Sequence, residues 1–66
     1  MTRPAASWIR DQLRKMEREK THHLERFGKD RPDHWHQMYQ DDIRALHWAS
    51  VGYDKLAERE AERAGE

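Results

Sequence analysis

From Ile9 onward the apolar residues return at steps of three and four: Ile9, Leu13 and Met16, then Leu24 and Phe27, with Lys20 and His23 at the steps between. That spacing marks one face of an α-helix. Pro4 suits a first turn, and Ser7 offers an alternative N-cap. Gly28, directly after Phe27, predicts a left-handed residue that ends the helix. His22, His23 and Arg26 put positive charge in the last turn, where the helix dipole favours it. A helix over residues 5–27 is expected.

Arg31-Pro32 restarts the chain. Proline disfavours the α region for Arg31 and itself fits a first helical position. Asp30 and Asp33 flank that start, as carboxylates suit a helix N-terminus. The second helix is expected over residues 32–63, with the stripe Trp35, Tyr39, Asp42, Leu46, Ala49, Tyr53 and Leu56. Its strict alternation of four and three is the spacing of coiled coils, and Ile43 and Ala57 widen it on one side. A connection this short forces the two helices to lie antiparallel. The fold class is therefore all-α: one helical-hairpin domain over residues 1–66, bent at Gly28–Pro32, with a polar tail at 58–66 expected to fray.

Folding the chain at that bend sets Lys20 opposite Tyr39 and Asp42. Lys20 and Asp42 are the charged interruptions of otherwise apolar stripes and are opposite in sign. They are expected to pair half-buried and fix the register of the hairpin, adding specificity more than stability.

The second helix carries more apolar surface than the first can cover. Met38, Ala45, Trp48, Ala49, Gly52 and Leu56 form a further stripe beside the principal one at about 100° per residue. Three of its members are small enough to let another backbone approach. Gly52 costs about 1 kcal/mol relative to alanine inside a helix, and close packing is the simplest offset. Contiguous exposed apolar patches usually mark interfaces, and two-fold homodimers are the commonest soluble oligomers. A homodimer in which two hairpins make a four-helix bundle is the expected assembly, and Trp8, far along the first helix, is a candidate to join the same surface.

Composition sharpens this. Sixty-six residues hold one small domain, and small scaffolds lean on disulfides, a metal or association. The chain has no cysteine, which removes disulfides and thiolate metal sites. It is 39% charged and 35% hydrophobic. No apolar run nears the roughly 20 residues needed to span a membrane, and the N-terminus lacks a secretory pattern. A cytoplasmic protein is expected. Net charge is zero, yet residues 1–29 carry eight Lys/Arg against four Asp/Glu, net +4, and residues 30–66 carry five against nine, net −4. The two halves attract.

Candidate chemistry is sparse. Five histidines are present, four of them near the bend, and His23 and His36 could approach across the hairpin as zinc or nickel ligands. No His-x-x-x-His pair chelates from one face, so helix-end charge explains them more simply, and no metal or other cofactor is expected. Arg10, Arg14 and Arg18 recur every fourth residue, with Arg3 near the same line, forming a ridge that can steer charge or contact phosphates. Acids interrupt the ridge, and pairs such as Arg14–Glu17 make it equally a solvated face. No glycine-rich phosphate loop, nucleophile motif or zincin helix occurs, and the adjacent Asp41 and Asp42 diverge by about 100°. The chain thus reads as non-enzymatic: an interaction module that regulates or inhibits a larger protein partner, in the style of compact charge-rich accessory proteins, phage-encoded ones among them. The alternative is a nucleic-acid-associated dimer using the arginine ridge.

Overall fold

In the computed structural model, which describes residues 3–65, two helices take up nearly the whole chain. Helix α1 spans Ala6–Phe27 and α2 spans Asp33–Ala64. They run antiparallel: Lys20 meets Asp42 near the bend, Arg10 meets Asp54 further out, and the Ala6 amide reaches Glu60 at the open end. This is the expected all-α hairpin, with helix bounds within one residue of those predicted. The result is a rod of 53 × 20 × 18 Å. Among the described residues no helix is long and apolar enough to cross a membrane.

The helix ends are built differently from the sequence expectation. Gly28 is not left-handed; its φ of −79° and ψ of −14° are ordinary right-handed values. Its amide still donates to the Leu24 carbonyl at 2.9 Å. Glycine is needed there for space, because a Cβ would collide with the Leu24 carbonyl oxygen and come within 3.0 Å of the His36 ring. Pro32 is the N-cap of α2 and not its first helical residue, and its carbonyl accepts from the Trp35 and His36 amides at 3.0 and 3.3 Å. Ala5 is the N-cap of α1 with no side-chain cap, so neither Pro4 nor Ser7 takes the role expected of it. The uncapped Ala6 amide donates instead to Glu60 Oε2 at 3.0 Å. A carboxylate from the far end of α2 thus satisfies an orphan donor at a helix N-terminus and complements its dipole. That contact lies in the segment expected to fray, and α2 continues through it to Ala64; Glu66 lies outside the described residues.

The seam between the helices is offset from the predicted stripes. On α1 it passes through Ala6, Arg10, Leu13, Glu17, Lys20 and Leu24, a 4-3 series, while Met16 and Phe27 stand about half exposed at 46% and 47%. On α2 it follows His36, Tyr39, Ile43, Leu46, Ser50, Tyr53 and Ala57, and Asp42, Ala49 and Leu56 are exposed. The Tyr39–Leu46–Tyr53 row is shared with the prediction. The Ile43–Ala57 edge, predicted as a margin, is the centre. Ser50 is buried there because its small side chain fits between helices and its hydroxyl donates to the His47 carbonyl at 2.7 Å. Among the described residues Ala6 and Ala57 are the buried hydrophobic ones, and no large side chain is fully enclosed.

At the bend an aromatic group closes the hairpin. His23 stacks on Tyr39 at 5.4 Å and packs against Phe27 at 4.7 Å, and Trp35 lies 4.2 Å from Tyr39. Contacts of this kind add about 0.5–1.5 kcal/mol beyond area burial.

Gly28 and Gly52 therefore make opposite predictions. Gly28→Ala should destabilise the hairpin by about 1–3 kcal/mol through overpacking at the bend. Gly52, where an added Cβ meets nothing within 4 Å, should gain up to about 1 kcal/mol as alanine from helix propensity. Urea unfolding followed by circular dichroism reads both signs.

Candidate interaction surface

A two-helix hairpin has two broad faces, each made by both helices, and two outer sides. The first broad face is polar. Arg10 donates through Nη1 to Asp54 Oδ1 at 3.0 Å and through Nε to Asp11 at 3.0 Å, and Arg14 Nη2 lies 3.6 Å from the same Asp54 oxygen. Hydrogen bonds to Asp11 and then Asp54 raise the Arg10 pKa above its ordinary value. Two turns nearer the bend, Glu17 Oε1 meets His47 Nδ1 at 3.1 Å. Glu17 therefore pairs across the seam and not with Arg14 along its own helix. Two members of the predicted arginine ridge, Arg10 and Arg14, are spent on Asp54; Arg3 and Arg18 show no ion pair among the described residues.

The second broad face is largely apolar. Met16 and Phe27 from α1 are exposed, as are Met38 (59%) and Leu56 (37%) from α2. Met16 and Arg14 are about 200° apart on α1, so they occupy opposite broad faces. Met16, Glu19, Lys20, His23 and Tyr39 line an open cleft of about 300 Å³ on the apolar side. Lys20 donates to Asp42 Oδ2 at 3.2 Å, with its ammonium 5.1 Å from the Tyr39 ring centroid. The structure thus sets these two predicted register residues together, though on the rim of the seam and solvent-exposed. Ala49 and Leu56 follow Asp42 at steps of seven along the same row of α2.

The outer side of α2 carries the rest of the predicted stripe. Trp48 is 66% exposed, with the His47 ring edge-on to it at 5.6 Å. Ala45, Ala49 and Gly52 are exposed near it. Trp8, also exposed, is not brought to this surface. It stands about 200° from the buried Ala6, as Trp48 does from Ser50, so the two tryptophans project from opposite outer sides of the hairpin.

The remaining chemistry stays dispersed. His23 is engaged with aromatic rings, and His36 packs edge-on to Trp35 at 5.3 Å and lies beside Gly28. Among the described residues no group of three His, Asp or Glu is placed to hold a metal ion. Asp41 accepts from Gln37 while Asp42 accepts from Lys20, so the adjacent carboxylates serve separate partners. Sequence reasoning assigned Met16 and Phe27 to the seam and so missed them as surface residues. The available signal was the charge at Arg10 and Glu17, seven residues apart, matching Asp54 and His47 seven apart on α2. Compared with protein-family models, curated proteins and solved structures, the chain matches none of them.

The polar face supplies a test of its own. Asp54→Ala removes the acceptor shared by Arg10 and Arg14 and should lower the urea midpoint at low salt, with the loss shrinking at high salt as screening replaces the pair. A Lys20/Asp42 double-mutant cycle should return about 0.2–1 kcal/mol, the range of an exposed pair.

Proposed function

We propose that this chain is a cytoplasmic, non-enzymatic interaction module that works as a homodimer and regulates or inhibits a larger protein by occupying part of its surface. The observation that supports this most directly is the uncovered apolar stripe of α2, with Trp48 at its most exposed point. A tryptophan held rigidly on a helix, with small Ala45, Ala49 and Gly52 around it, is the composition of a binding hot spot: a large aromatic anchor where a partner backbone can come close. The favoured partner presents an apolar pocket or groove that takes one face of a helix.

The arginine ridge favours this reading over nucleic acid. A phosphate-binding ridge needs its cations directed outward, whereas Arg10 and Arg14 turn to Asp54. The open cleft beside Tyr39 is shallow and unlike the enclosed pockets in which substrates are usually held.

With the partner identified by cross-linking in cells and the pair reconstituted from purified components, Trp48→Ala should weaken binding by roughly thirtyfold or more, as expected for a hot-spot tryptophan. Gly52→Ala should stabilise the hairpin yet weaken the complex. Arg14→Ala and added salt should have small effects. Steep salt dependence with a large Arg14→Ala loss and an indifferent Trp48→Ala would replace this reading with the nucleic-acid one.

A further inference from the structure

We infer that the hairpin pairs with a second copy of itself through the apolar broad face bearing Met16, Phe27, Met38 and Leu56, and leaves Trp48 on the outer side of α2 to the larger partner. This rests on the interaction reading above and divides its two surfaces between two occupants.

Three observations support it. The first is area. The chain exposes 5636 Å², whereas a compact monomer of 8.0 kDa exposes about 4,450 Å². The excess of roughly 1,200 Å² exceeds the ~800 Å² that each partner gives to a standard interface. The hairpin therefore exposes more surplus surface than an ordinary dimer interface covers.

The second is the heptad pattern. Against α1, α2 uses the His36–Ile43–Ser50–Ala57 row and the Tyr39–Leu46–Tyr53 row. The next row, through Asp42, Ala49 and Leu56, completes a 4-3 seam with Tyr39–Leu46–Tyr53 but is exposed along its length. A helix in a four-helix bundle touches two neighbours and needs apolar rows on two adjacent sides. Helix α1 shows the same doubling, with Met16 and Phe27 beside its own seam and on the same broad face.

The third is charge. The half of the chain holding α1 is net +4 and the half holding α2 is net −4. Stacking two hairpins so that α1 of each lies over α2 of the other sets opposite charge against opposite charge. Among the described residues the ion-paired broad face has no exposed large hydrophobic residue to offer. Lys20–Asp42 would then lie within the bundle, where a charged pair fixes register at some loss of stability.

The deciding experiment is sedimentation equilibrium of the full chain over about a hundredfold range of concentration, with circular dichroism on the same samples. The wild type should run at twice its chain mass, with a melting temperature that rises with concentration. Met16→Asp and Leu56→Asp should each raise the dissociation constant about tenfold or more, and Trp48→Asp should leave it unchanged. If the charged variants lose helicity, Met16→Ser and Leu56→Ser carry the same comparison. A wild type that is helical but monomeric throughout overturns the inference. So does an oligomer that Trp48→Asp dissociates while Met16 and Leu56 variants do not. A monomer whose partner binding still falls with Trp48→Ala leaves the interaction reading standing without the dimer. A dimer with the expected variant pattern and partner binding indifferent to Trp48→Ala supports this inference and overturns that reading.

Discussion

Cross-helix ion pairs line the seam between α1 and α2 and set how the two helices face each other, and most of the molecule's other properties follow from this. Three of the six α1 seam positions are Arg10, Glu17 and Lys20, and each meets an oppositely charged or protonatable group on α2. Such pairs, partly open to water, add little net free energy but fix which residues face one another. The leucine, isoleucine and tyrosine positions between them are only half-buried, and the deeply buried seam residues are the small Ala6, Ser50 and Ala57. A single layer of two helices, sealed this way, encloses almost nothing.

That constraint explains why the larger apolar side chains are outside. Two helices that meet along one line leave the larger apolar side chains on their other faces uncovered. Met16, Phe27, Met38 and Leu56 share one broad face, and Trp8 and Trp48 project from the outer sides of α1 and α2. For a chain this small, covering those surfaces with another protein is the most direct route to a stable folded unit. The proposed interaction with other chains would thus also stabilise the hairpin.

The elements were legible in the sequence because their signals are local. Steps of three and four, Gly28 and Arg31-Pro32 mark the helices and the bend by steric and hydrogen-bonding rules that act over a few residues. Counting outward from the bend sets Lys20 across from Asp42 without further information. Gly28 shows how a correct boundary can have an unforeseen cause. It ends α1 where expected, yet the demand for glycine comes from the approach of His36 and Leu24, not from a left-handed backbone.

By itself, then, the sequence determined two helices, their antiparallel pairing and an apolar surplus on α2, since each depends on periodicity, turn chemistry or residue count. Only the tertiary structure decided which of several adjacent rows on each helix forms the seam. Rows one position apart differ by about 100° of rotation, and hydrophobicity alone cannot separate them when Ser50, Arg10 and Glu17 are better seam residues than Met16 or Leu56. Cross-helix ion pairing and small-residue packing made that choice, and both exist only when the helices lie side by side.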